Sequence, residues 1–269
     1  MPEGHTLHRL ARLHQRRFAG APVAVSSPQG RFAGDAVDGR VLLRTSAWGK
    51  HLFHHYEPFG GGPIVHVHLG LYGAFTEWKR PDGAALPEPV GQVRMRMVGA
   101  GYGTDLRGPT VCEVVDEGQV SDVVARLGPD PLRADADPAP AWARIAKSRR
   151  PIGALLMDQA VIAGVGNVYR SELLFRHRID PYRPGRAVGE AEFAAAWTDL
   201  VALMKIGLRR GQIVVVRPEH DHGPPSYRPG RPRTYVYRRA GEPCRVCGTP
   251  ILTAVLEGRN VFWCPACQE

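Results

Sequence analysis

The residues best equipped for chemistry stand near the end of this 269-residue chain. Cys244, Cys247, Cys264 and Cys267 form C-x-x-C, sixteen residues, C-x-x-C. Each pair can present two thiolates from one tight knuckle, and two pairs supply the tetrahedral corners of one structural Zn2+ site. Gly248 and Pro265 suit the knuckle turns. Four thiolates leave no open coordination position, which argues against a catalytic zinc. Two disulfides or free thiols are the alternatives at this spacing. The metal would hold together ~30 residues that are too short to build a core of their own. Between the pairs, ILTAVLEGRNVFW reads as strand, turn, strand. Gly258 can supply the dihedral of the turn, which puts Arg259 at an exposed tip. An Arg at a hairpin tip is either a solvated charge or, on a basic ribbon, a phosphate or groove contact.

A second stretch, LLMDQAVIAGVGNVYRSELLF, carries Gly164 and Gly166 on either side of Val165, then Asn167 at the start of a new helix. Glycines allow close backbone approach, Asn167 can cap the helix, and unpaired amides at a helix start favour phosphate. The alternative is an ordinary glycine turn between packed helices. A third stretch opens the chain: MPEGHTLHRL places Pro2 and Glu3 directly before an amphipathic pattern. It has no basic segment followed by an apolar run, so it does not read as a signal peptide. The fifth cysteine, Cys112 in TVCEVV, reads as a reduced core thiol. An odd, clustered cysteine count argues against a secreted disulfide framework.

These residues need elements to position them. Residues 5–19 read as one helix, with Arg16 and Arg17 in its last turn and Gly20 as its stop. Residues 21–117 hold short apolar or alternating runs (PVAVSS, RVLLRTSAW, KHLFHHY, PIVHVHLGLYGAF, VRMRMV, TVCEVV) punctuated by Gly, Pro and Asp. That texture predicts an antiparallel sandwich or barrel. Residues 118–147 turn helical, with a linker texture at DADPAPA. Residues 151–210 are mostly helical through PIGALLMDQ, VYRSELLFRHR and EAEFAAAWTDLVALMKIGLRR. Residues 211–233 have loop composition, and short strands surround the cysteines from Thr234 onward. The fold class is α+β. The expected domains are a β-sandwich with an N-terminal helix over 1–120, a helical domain over 121–233 and a zinc ribbon over 234–269.

Charge is uneven. Residues 1–125 carry 13 Lys/Arg and 12 Asp/Glu, whereas residues 126–269 carry 22 and 14. A positive half invites a polyanion, most often nucleic acid. Arg-rich usage is the competing explanation, because Lys50, Lys79, Lys147 and Lys205 are the only lysines. No apolar run reaches the ~18 residues of a membrane span, and the chain reads as soluble and cytoplasmic.

Taken together and in order, PEG at the start, GVGNVYRSE in mid-chain and VYRRAGEPCRVCG…GRNVFWCPACQ at the end resemble the formamidopyrimidine-DNA glycosylase/endonuclease VIII family of DNA repair enzymes. The resemblance spans essentially the whole chain. It implies an N-terminal β-sandwich, a helix–two-turn–helix domain and a zinc-ribbon finger. It also implies a bifunctional DNA glycosylase/AP lyase that excises oxidised bases and then cleaves the strand. The partner implied is damaged double-stranded DNA in the nucleoid, with no membrane, engaged by a monomer. By the resemblance, Pro2 is the nucleophile once Met1 is removed, Glu3 the catalytic carboxylate, and Lys50 in WGKHLF a phosphate contact near the lesion. Asn167 and Arg259 match phosphate-gripping residues of the hairpin and finger. Leu71 and Tyr72 follow His68 in HLGLYG and match the residues that fill the gap left by an everted base.

General chemistry agrees with these roles. An α-amine is less basic than lysine, so more of it is free near neutral pH. Proline's amine is secondary, and its adduct with C1′ is a permanently charged iminium that acidifies C2′. The alternatives are Lys50 as Schiff-base former, sandwich-core roles for Leu71 and Tyr72, an AP-site lyase without base excision, and a non-catalytic DNA-binding protein. The chain also departs from the family pattern. His5 and Thr6 stand where many members have Pro-Glu, and DLRGPT keeps only Arg107 of an Arg-Phe wedge. The 211–233 loop does not match the 8-oxoguanine-capping loop. PEG and LYG lean toward the endonuclease VIII branch and HLG the other way, and oxidised pyrimidines are the favoured lesions.

Overall fold

The computed structural model describes residues 2–81, 85–221 and 234–269. The chain divides into two compact units, residues 1–126 and 127–269.

The first unit begins with helix α1 (Gly4–Phe18), whose Leu7, Ala11, His14 and Phe18 recur at helical spacing and are buried. Arg16 and Arg17 in the last turn complement the helix dipole, and Gly20 at φ 86° takes the chain away. The strands are β1 (Ala24–Ser26), β2 (Leu42–Trp48), β3 (His51–Tyr56), β4 (Ile64–His68), β5 (Ala74–Lys79), β6 (Val93–Val98), β7 (Tyr102–Arg107) and β8 (Val111–Val115). They form two antiparallel four-stranded sheets, ordered β1-β6-β7-β5 and β2-β3-β4-β8. Leu42, Leu52, Val65, Val67, Met95, Met97 and Leu106 fill the space between them with Leu7 and Phe18 of α1. Each such side chain contributes roughly 1.5–3 kcal/mol by leaving water. The run PIVHVHLGLYGAF breaks at Leu69–Gly73 and supplies both β4 and β5. Strand β7, absent from the sequence reading, is a central strand whose Asp105 is paired with Arg96 at 2.7 Å.

Helix α2 (Glu117–Ala125) closes the first unit, with Asp116 and Gln119 forming a reciprocal capping box. In the second unit, α3 (Ala139–Ile145), α4 (Ile152–Leu155), α5 (Asn167–Arg176) and α6 (Glu190–Arg210) enclose a core of Leu155, Leu156, Val165, Leu173, Leu200 and Met204. Helix is therefore interrupted within 118–147, and PIGALLMDQ contributes only the four residues of α4. Hairpin β9 (Leu252–Leu256) and β10 (Arg259–Trp263) follows. No helix among the described residues is long and apolar enough to cross a membrane.

Candidate active site and nucleic-acid interface

Pro2 is half-buried immediately before α1, and the Glu3 carbonyl accepts the first turn's bond from the Thr6 amide at 2.8 Å. The Glu3 side chain does not cap the helix and is 0% exposed. Helix α1 is held to the sandwich by more than its apolar face. His14 Nδ1 lies 3.0 Å from His54 Nε2, and His14 Nε2 lies 2.9 Å from Glu77 Oε1, while Arg17 engages Glu77 Oε2. Thr45 Oγ1 donates to the Ala11 carbonyl at 2.5 Å. A helix pinned along its length holds the start of the chain, and with it Pro2 and Glu3. His5 is buried, and burial pulls its pKa down to about 4, so it is neutral at physiological pH. Thr6 Oγ1 sits 3.4 Å from its ring.

Lys50 stands in the two-residue turn between β2 and β3, with Gly49 supplying φ 55°. It is half-buried, and its charge acts on His51 and His68. His51 is bound to His66 at 2.8 Å, and His66 to Glu113 at 3.1 Å. Burial first, then the neighbouring histidines, Arg126 and Lys50, push His51 down to about 3. His68 Nδ1 accepts from the Gly70 amide at 3.1 Å, so its neutral ring carries the proton on Nε2. Three and four residues beyond His68, Leu71 and Tyr72 form the tip of the β4–β5 turn, which the Gly73 amide closes onto the Leu69 carbonyl at 2.9 Å. Leu71 is 38% and Tyr72 88% exposed, so neither is sandwich core. Arg107 is drawn back by Asp105 at 3.0 Å and the Val90 carbonyl at 2.8 Å.

In the second unit, Gly164 at φ 87° turns the chain and Gly166, in extended conformation, caps α5. Asn167 is therefore the first helical residue and not its cap, a correction to the sequence reading. Its side chain turns to a distant partner instead: Nδ2 donates to the Asn260 carbonyl of β10 at 2.9 Å. Arg170, one turn on, donates to both Asn167 Oδ1 and the same carbonyl. Glu172, fully buried, accepts the amides of Tyr235, Val236 and Tyr237 at 2.5, 2.9 and 2.8 Å. Burial pushes this carboxyl upward, and the three amides and Arg239 oppose that shift. Arg170 and Glu172 were missed as site residues. Two ionisable residues inside an otherwise apolar helix, VYRSELLF, were the available signal.

Arg259 is exposed beside the turn of the β9–β10 hairpin, as expected. Glu257 and Gly258 both take positive φ (45° and 74°), as a type I′ turn requires. The left-handed conformation strains Glu257, and its carboxylate is held by Arg150 at 2.7 Å, which also binds Asp158 at 2.9 Å. The four cysteine sulfurs lie within 4.8 Å of one another, with separations of 3.4, 3.5 and 3.9 Å among them. A tetrahedron with Zn–S near 2.3 Å needs sulfurs about 3.8 Å apart, so these residues fit one Zn2+, held in a closed structural site. Cys112 is buried and unpaired, and burial pushes its thiol up to about 12, as suits a core thiol.

Comparison with known proteins decides what this arrangement is. Residues 1–108 match the model of the formamidopyrimidine-DNA glycosylase N-terminal domain, 127–218 its H2TH domain, and 241–269 the zinc finger found in FPG and IleRS. The chain belongs to the formamidopyrimidine-DNA glycosylase family. Within it, the chain is 80% identical over the whole of both chains to Endonuclease 8 1 of Mycobacterium tuberculosis and of Mycobacterium bovis. It is 34% identical to a formamidopyrimidine-DNA glycosylase of Thermus thermophilus, over 86% of this chain and 84% of the relative. A Lactococcus lactis Fpg solved with abasic-site DNA shares the fold at a TM-score of 0.80, with 20% identity over 99% of each chain. The MutM protein of Thermus thermophilus aligns at 0.76 with 29% identity, over 100% of this chain and 98% of the other. The expected α+β architecture of sandwich, helix–two-turn–helix and zinc ribbon is therefore the family's own. The 8-oxoguanine-capping comparison over 211–233 falls largely on residues outside those described.

Proposed function

We propose that this DNA glycosylase/AP lyase of base excision repair uses the Pro2 amine as its nucleophile. With Met1 removed, the amine attacks C1′ of an everted nucleotide, forming an N–C1′ bond as the glycosidic bond breaks and the damaged base leaves with its electron pair. Opening of the sugar at O4′ gives a charged iminium. Loss of a C2′ proton then expels the 3′ phosphate, and a second elimination expels the 5′ phosphate. Glu3, adjacent in sequence, transfers protons and stabilises the cationic sugar. Lys50, Asn167 and Arg259 grip backbone phosphates, and Leu71 and Tyr72 fill the vacated stack. The observation that carries this reading is a Pro-Glu pair set before a helix pinned to the sandwich, in a chain matched along its length by the family. The exposed Leu-Tyr tip supports the filling role, and the likeness to a protein named Endonuclease 8 1 supports the endonuclease VIII branch, in keeping with the expectation of oxidised pyrimidines as the favoured lesions.

The enzyme acts as an intracellular monomer, one lesion to one molecule. Single-turnover excision from matched duplexes carrying thymine glycol, dihydrouracil or 8-oxoguanine tests the lesion class. Faster release of the two pyrimidines supports it. Faster release of 8-oxoguanine overturns it, and cleavage of abasic DNA alone marks a lyase without base excision.

A further inference from the structure

Arg170 occupies an unusual position. It is 1% exposed, one helical turn beyond Asn167, so both side chains leave the same face of α5. A buried guanidinium is costly unless its hydrogens are met. Here Nη2 divides its two hydrogens between Asn167 Oδ1 and the Asn260 carbonyl, the latter at 2.7 Å, while Nη1 reaches the Gly153 carbonyl at 3.4 Å. Asn260 directly follows Arg259. In a two-residue hairpin closed by Leu256 and Arg259, the next pair, Val255 and Asn260, turns its backbone groups outward from the ladder. The Asn260 carbonyl therefore faces α5, where it accepts from Arg170 and from Asn167 Nδ2.

We infer that Arg170 is a positioning residue that joins Asn167 of the helical hairpin and Arg259 of the zinc ribbon into one phosphate grip. Three consequences follow from the geometry. The Arg170 bond to Oδ1 fixes which end of the largely buried Asn167 amide is the donor, namely Nδ2. One Nδ2 hydrogen is spent on Asn260, and the second is left for a phosphate oxygen. The shared carbonyl sets the start of β10, and so the origin of the Arg259 side chain, relative to that donor. A guanidinium suits this task because its planar fork holds the two Nη2 acceptors and the Gly153 carbonyl on Nη1 in fixed directions, whereas a lysine ammonium, with three hydrogens on one rotating nitrogen, cannot reach the acceptors of both nitrogens. The positive charge behind the amide also strengthens Nδ2 as a donor. The inference rests on Asn167 and Arg259 being phosphate contacts.

The test is a set of binding measurements on a duplex carrying a tetrahydrofuran abasic analogue, with the zinc-loaded full chain. Arg170→Lys keeps the charge and loses the fork. It is expected to weaken binding about tenfold and to raise KM on abasic DNA more than it lowers kcat. In that background Asn167→Ala and Arg259→Ala should each lose most of the effect they have in the wild-type chain. Equal fold-changes in both backgrounds would overturn the positioning role. Should Arg170→Lys fail to retain zinc, the wild-type background still decides. There the double variant Asn167→Ala/Arg259→Ala must bind more tightly than the product of the single losses allows, and strict multiplicativity overturns the inference. If neither single variant weakens binding or alters its salt dependence, the phosphate assignment itself is what fails.

Discussion

Replacing Glu172 with glutamine exchanges one atom for another of similar size in a fully buried site. The carboxylate receives only donors: the Tyr235 amide on Oε2, and the Val236 and Tyr237 amides on Oε1. A glutamine oxygen can keep the two bonds at Oε1. Its NH2 group then meets the Tyr235 N–H head-on, losing one bond to a charged acceptor and leaving two buried donors facing each other. A hydrogen bond to a charged group contributes about 1.5–3 kcal/mol and an unmet buried donor costs about 1–3. Relief of the carboxylate's desolvation offsets part of this, so the net loss should be about 2 kcal/mol, and larger for Glu172→Ala, which orphans three amides. Those amides belong to the segment that leads into Cys244, so the damage should appear first in the ribbon. Denaturant melts of the zinc-loaded protein, with chelator-driven zinc release followed in parallel, read both effects. A Glu172→Gln protein as stable as the wild type, with unchanged zinc release, would refute the reasoning. It would mean that the group already carries a proton, as burial alone would have it.

Acid should destabilise the sandwich. His5 and His51 titrate near 4 and 3 in the fold against an ordinary 6.5, so the unfolded chain binds more protons throughout that window. Stability is complete above pH 6.5 and falls as pH drops, by about 2 kcal/mol for each such histidine at pH 5; a flat profile from pH 7.5 to 5, with zinc in excess, contradicts this. Leu71→Ala and Tyr72→Ala should slow base excision from duplex DNA about tenfold or more while affecting abasic-site cleavage less, because the abasic site has no base to unstack; equal losses on both substrates would remove the filling role. Arg259→Ala should weaken binding across sequences and flatten the logarithmic salt dependence by about one unit; an unchanged slope takes Arg259 off the phosphates.

Most of the architecture was legible because it is written locally. The cysteine spacing, the amphipathic period of α1 and the Gly-Arg hairpin turn each concern residues close in sequence. Strand β7 escaped because GYGTDLR looks polar and glycine-rich, and it is the pairing of Asp105 with Arg96 and Arg107 that makes Asp105 compatible with a central strand. The role of Asn167 was misread for a similar reason. Asn is a good cap in isolation, but its amide is claimed by a carbonyl 93 residues away. Arg170 and Glu172 were passed over because a charged residue in a helix normally marks the solvent face, and the apolar run around them was the one signal against that reading. Their partners, the Asn260 carbonyl and the 235–237 amides, are backbone groups that no side-chain pattern reports.

The central claim is that the chain's chemistry belongs to the amine of Pro2. The direct measurement is borohydride reduction of the enzyme on an abasic-site duplex, followed by proteolysis and mass mapping of the DNA-linked peptide. One covalent species is expected, attached at Pro2, and it disappears when Met1 is retained or a residue is added before Pro2, while DNA binding persists. A cross-link that maps to Lys50, or one that forms undiminished on a chain with a blocked Pro2, would contradict it.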